Sequence, residues 1–119
     1  MAGHNRSVAR DIVETNFTDT VAALRPGDPR DPALPVRAGS ALTGARCLEL
    51  FDAQLGSRLL DVAARLLKER GQAFYTIGSA GHESNAAVAA ALRPTDPALL
   101  HYRSGAFYLT RSAQAVRPP

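Results

Sequence analysis

Tryptophan is absent and cysteine occurs once, at Cys47, so no disulfide can close within the chain and the fold needs no oxidising compartment. Lysine is nearly missing too: of 14 basic residues only Lys68 is not arginine. No run of about eighteen apolar residues occurs, and the opening MAGHNRSVARDIVE has no apolar stretch behind its basic residues, so neither a membrane span nor a secretory leader is predicted. A cytoplasmic setting is the expectation. Aromatics make up 6% of the chain, too few and too clustered to form a platform on which nucleic-acid bases stack. His4, His82 and His101 stand far apart with no cysteine or carboxylate at ligand spacing, which argues against a structural zinc site.

What is present suits one small globular domain: 119 residues, of which 45% are apolar. The net charge of +3 makes an anionic partner worth considering. Yet Arg58, Arg65, Lys68 and Arg70 alternate with Glu49, Asp52, Asp61 and Glu69, the pattern of a solvated helix face and not of a nucleic-acid stripe. Residues 82–92 hold no arginine or lysine, so they do not make a recognition helix for DNA.

Along the chain, residues 1–8 are polar and expected to fray. Val13, Phe17, Val21 and Leu24 recur at helical spacing and predict a short helix, weakened by the branched Thr15, Thr18 and Thr20. PGDPRDPALP, residues 26–35, has four prolines in ten residues and reads as an extended linker. A long helix is predicted from Leu42 or Thr43 to Arg70, stopped by Gly71. Within it Leu48, Phe51, Leu55, Leu59, Val62 and Leu66 form an apolar stripe, widened by Leu60, Ala63, Ala64 and Leu67, that predicts one buried side. Gly56 costs such a helix about 1 kcal/mol relative to alanine and suggests close approach of another backbone. An alanine-rich buried helix is predicted from His82 to Leu92, then a turn at Asp96-Pro97, a short extended stretch over 98–103, and a last helix starting at Ser104-Gly105. The closing AQAVRPP reads as loop.

Two places share one design. In IGSAGHE and in HYRSGAF a segment passes through small residues into a helix, where unpaired N–H groups and the helix dipole favour an anion. Tyr102 and Arg103 add a phenolic donor and a guanidinium fork that matches two phosphate oxygens, so a diphosphate is a candidate ligand. A small-residue loop can also serve only to turn the chain, His82 can cap its helix or face solvent, and Glu83 can answer the dipole. Ser79 with His82 as base lacks a GxSxG elbow and a third member, and Cys47 reads as a packed thiol.

The long helix ending in RG, then FYTIGSAGHES, then AAALRPTDPALLHYRSG resemble, in order and spacing, the N-terminal part of the alpha subunit of thiamine-diphosphate-dependent 2-oxoacid dehydrogenases. These are the decarboxylating components of the pyruvate and branched-chain 2-oxoacid complexes, and FYTIGSAGHE is the more similar to the branched-chain loop. The resemblance spans about seventy residues, Leu42 to Ser112. It implies that Tyr102 and Arg103 hold the diphosphate, that Phe74, Tyr75 and Ser79 line the 2-oxoacid pocket, and that His82 is catalytic beside Glu83 at the entrance.

On that basis the expected fold is mainly α: N-terminal helices and loops of an α/β thiamine-diphosphate-binding fold, with at most one or two short strands. Residues 1–41 would be an N-terminal extension with a Pro-rich linker and 42–119 a truncated cofactor-binding domain. The Gly-Asp-Gly to Asn-Asn segment that supplies magnesium ligands in the family is not in the sequence, so Mg2+ would be held outside this chain. The expected partners are a beta subunit and a lipoyl-bearing acyltransferase. The chain is expected to be a fragment, inactive alone, that leaves apolar surface open and self-associates. The alternative is a small helical protein-interaction or anion-binding module without catalysis.

Overall fold

The computed structural model describes residues 2–74 and 78–116. The chain is mainly helical, in the order α1 (Ala2–Ala23), α2 (Gly44–Glu69), α3 (Asn85–Ala91) and α4 (Gly105–Val116). Among the described residues β pairing is limited to one isolated antiparallel bridge, Pro35 with Thr43; the expected extended stretch 98–103 forms no strand and its last residues, 102 and 103, are in a turn. Among the described residues no helix is long and apolar enough to cross a membrane.

The chain divides into two units, Met1–Arg30 and Asp31–Pro119. In the first, helix already covers the residues expected to fray. The threonines do not break it, because Thr18 Oγ1 donates to the Glu14 carbonyl at 2.8 Å and Thr20 Oγ1 to that of Asn16 at 2.7 Å. Phe17, Val21 and Leu24 remain exposed.

The second unit takes in part of the proline-rich stretch. The Pro32 and Leu34 carbonyls accept the N–H groups of Ala45 (2.7 Å) and Gly44 (3.1 Å), satisfying donors that the first turn of α2 cannot pair internally. Thr43 is the N-cap, its hydroxyl accepting from Arg46 N at 3.2 Å. At the other end Gly71 takes φ +70°, and Gly71 and Gln72 donate to the Lys68 and Leu67 carbonyls, the paired bonds of a Schellman stop.

α4 packs on both α2 and α3, with a smaller α2–α3 contact. The core is made of small residues: Ala53, Ala86, Ala89 and Ala106 with Phe107, flanked by Leu50 and Leu109. On α2 the buried positions are Ala53 and Ser57, with Leu50, Asp61 and Ala64 partly covered on the same face. That face lies about 200° of helical rotation from the predicted stripe, since Leu48 and Leu50 are two residues apart. Leu48, Phe51, Leu55, Leu59, Val62 and Leu66 are 40–61% exposed. The large side chains thus face outward and the small face packs inward.

Other boundaries shift. α3 starts at Asn85, not His82, because residues 82–84 are used in tight turns whose carbonyls accept from Asn85, Ala86 and Ala87. α4 runs to Val116 and absorbs the first half of AQAVRPP, whose alanines and glutamine favour helix. Cys47 is half-buried. At Gly56 the close neighbour is a side chain, Leu109 Cδ1, 3.0 Å from where a Cβ would stand; the tighter approach is at Gly105, whose Cβ would lie 2.6 Å from Ser57 Oγ.

Gly105→Ala should therefore destabilise the helical unit by about 1–3 kcal/mol, the usual cost of overpacking. Urea denaturation should show a lowered midpoint, partly restored by adding Ser57→Ala. Equal midpoints for Gly105→Ala and the parent chain would contradict this packing.

Candidate functional site

The loop 78–84 is fastened to one turn of α2. Asp61 Oδ2 accepts from Ser79 N at 2.8 Å and from Ser79 Oγ at 3.0 Å. Ser79 Oγ lies 2.7 Å from Ser57 Oγ, and both serines are buried. Arg58 sits between two carboxylates, 3.4 Å from Asp61 Oδ2 and 3.7 Å from Glu83 Oε1, while Glu83 Oε2 accepts from Gly81 N at 2.8 Å. Gly81 supplies the positive φ, +86°, that this reversal needs.

The first of the two small-residue turns is thus already filled. Its amides bond to Asp61, to Glu83 and to carbonyls of the loop itself, and the seven-residue α3 behind it offers little dipole. Ser79 packs inward against α2. His82 is exposed, its Nδ1 3.4 Å from the Ala80 carbonyl oxygen. Phe74 is 99% exposed. Tyr75 lies outside the described residues.

The second turn leads into α4, where Gly105 is half-buried and Ala106 and Phe107 are buried. Ser104 N donates to the His101 carbonyl at 2.9 Å and Ser104 Oγ accepts from His101 N at 3.2 Å, closing the turn that leads into α4. Among the described residues the amides of Gly105, Ala106 and Phe107 have no acceptor. The Arg103 guanidinium carbon lies 5.4 Å from the centroid of the Tyr102 ring, and no carboxylate pairs with it among the described residues. Tyr102 is exposed and its ring centroid lies 3.7 Å from that of His101. Arg103 N donates to His101 Nδ1 at 3.4 Å, so a neutral His101 carries its proton on Nε2. No hydrogen bond, ion pair or ring contact joins His82 or Phe74 to Tyr102 or Arg103 among the described residues.

A groove of about 590 Å³ lies between α2 and α4, lined among others by Arg46, Leu50, Ala53, Gly56, Leu109 and Gln114. None of Phe74, Ser79, His82, Tyr102 and Arg103 lines it, though Gly56 does. Among the described residues no group of three or more His, Cys, Asp or Glu side chains is placed to hold a metal ion.

The TDP segment before the second turn is braced from α4. Arg111 Nη1 donates to the carbonyls of Pro94 (2.6 Å) and Asp96 (2.9 Å), with its guanidinium 5.2 Å from the Phe107 ring centroid. Asp96 in turn accepts from Arg93 N at 2.8 Å and from Arg93 Nε at 3.0 Å. The Arg93 side-chain bond, then the Arg93 backbone bond and the charge of Arg111, hold the Asp96 carboxyl below the usual aspartate value.

Asp61, Ser57, Arg58 and His101 escaped the motif reading. The first three lie on a different element from the loop they serve, and His101 gives no signal beyond its place beside Tyr102. Comparison with protein-family models, curated proteins and solved structures finds no match for this chain.

Because the folded Asp96 value is depressed, the stabilising effect of this turn is complete above the unfolded aspartate value and is lost as pH falls through the folded one. NMR titration should place the Asp96 midpoint below that of an unstructured aspartate, and Arg93→Ala should raise it. A midpoint unmoved by that substitution would contradict the bonding described.

Proposed function

We propose that this chain supplies the diphosphate-gripping corner of a cytoplasmic thiamine-diphosphate-dependent 2-oxoacid dehydrogenase, as a segment of its alpha subunit. The observation that carries the reading is Arg103: a half-buried arginine with no carboxylate partner among the described residues, two positions before Gly105, the half-buried first residue of α4. A diphosphate placed there meets a charged fork, the phenol of Tyr102 and the positive end of a 12-residue helix. The fit is that of an anion site alone, and the magnesium and the aminopyrimidine side belong to other chain segments or a beta subunit.

Thiamine diphosphate, when bound, supplies the carbanion-stabilising chemistry of 2-oxoacid decarboxylation. The residues of this chain bind and orient. Arg103 and Tyr102 fix the phosphates, while Arg111 and the Arg93–Asp96 pair stiffen the approach to them. His82, oriented by the Ala80 carbonyl, leaves Nε2 available to hold or accept a proton at the entrance. Phe74 and Tyr75 would form the apolar wall of a pocket closed by a partner surface, Ser79 fixing the loop between them and His82. Acyl transfer to lipoyl groups requires the acyltransferase partner.

The outward stripe of α2 favours a second reading, a small helical interaction module without catalysis. Calorimetric titration with thiamine diphosphate and Mg2+ separates the two: binding in the millimolar range or tighter, weakened at least about tenfold by Arg103→Ala, is expected from the first. Silence in both chains would leave the second. The stripe itself should drive self-association, visible by light scattering after gel filtration and abolished by Leu55→Lys with Leu59→Lys. A cooperatively melting monomer of the unsubstituted chain would count against an adhesive face.

A further inference from the structure

We infer that Asp61 and Ser57 are positioning residues: a clamp on α2 that fixes the 78–83 loop and the start of α4 in one frame, and so sets the geometry of the Arg103 anion site. The inference rests on the diphosphate reading for its ligand, though not for its geometry. An aspartate in mid-helix normally faces water, yet the Asp61 side chain is only 10% exposed. Its ion-pair partner Arg58 is 42% exposed, so the bonds that reach the carboxylate from inside are those of Ser79 N and Ser79 Oγ.

The order of hydrogens in the clamp follows from the chemistry of its members. Ionised Asp61 has no proton, so Ser79 Oγ, 3.0 Å away, must donate to it. The Ser79 oxygen is then left as acceptor for Ser57 Oγ–H across 2.7 Å. Ser57 Oγ also packs closely on Gly105, where a Cβ would approach to 2.6 Å. A polarised chain Ser57→Ser79→Asp61 therefore runs from α2 into the loop that carries His82 and back to α2, with Ser57 Oγ packed against Gly105 at the start of α4, and each bond strengthens the next. Arg58, one residue along α2, repeats the tie at the far end of the loop through Glu83 and Gly81. Residues 57, 58 and 61 lie within little more than one turn of α2; they bond the first small-residue turn and, through Ser57, pack against the residue that follows the second.

Ser79 lies 18 residues from Asp61 in sequence and the second turn farther still, so coupling between them is measurable. In the full chain, Asp61→Asn keeps a carbonyl acceptor for Ser79 N but removes the charge that orders the hydroxyls. The expected result is that amide NMR signals of Gly105, Ala106 and Phe107 shift together with those of Ser79 and Gly81. Affinity for inorganic pyrophosphate should fall about three- to tenfold, the worth of one hydrogen bond, with no matching loss of thermal stability. Ser57→Ala, which deletes one hydroxyl and is the safer variant if Asp61→Asn does not fold, should do the same. Signals of 105–107 unmoved in the folding variant would overturn the clamp. If the unsubstituted chain ignores pyrophosphate, the cofactor reading falls instead, and the NMR shifts alone decide the inference.

Discussion

The close approach of α2 and α4 at Ser57 and Gly105 is the constraint on which the helical unit depends. Helices meet this tightly only where side chains are small, and the residues at the meeting place are Ala53, Gly56, Ser57, Gly105 and Ala106. Once α2 turns that face inward, its opposite face must point out, because the two are half a helical revolution apart. The exposed leucines are thus a consequence of how the small residues are spent. Dispersion gained between fully buried alanines is modest for each pair, which makes the polar ties from α2 to the loop a larger share of what defines the arrangement.

Much of the architecture was legible in the sequence where its cause was local. The limits of α2 follow from Thr43 as a cap and Gly71 as a stop, both readable within a few residues. The start of α4 follows Ser104-Gly105 for the same reason, and the mainly helical class follows from the periodicities. The facing of α2 was not legible. A rule that assigns large apolar residues to the inside presumes a partner able to receive them, and α3 presents chiefly alanine. Nor did spacing reveal that Pro32 and Leu34 would serve the first turn of α2, because that task depends on a chain reversal and not on residue type.

The site was half legible. Composition located both anion-type turns, but not which one the protein fills by itself. That distinction rests on Asp61, 18 residues ahead of Ser79 and read in the sequence as one charge among several on a solvated face. Periodicity in fact placed it two positions from the stripe, on the face that turned inward.

A nest of amides is stabilised by any nearby negative charge, whether a ligand brings it or the chain does. At the first turn the chain brings two carboxylates, which makes the loop rigid and removes it from competition for a free anion. At the second, the carboxylate of Asp96 is committed to Arg93 and feels Arg111, and Arg103 has no carboxylate partner among the described residues. One turn is thereby closed by the chain's own carboxylates and the other is not. A site that binds an anion in a chosen orientation needs both, since an open donor set without a rigid neighbour attracts phosphate but does not aim what is attached to it.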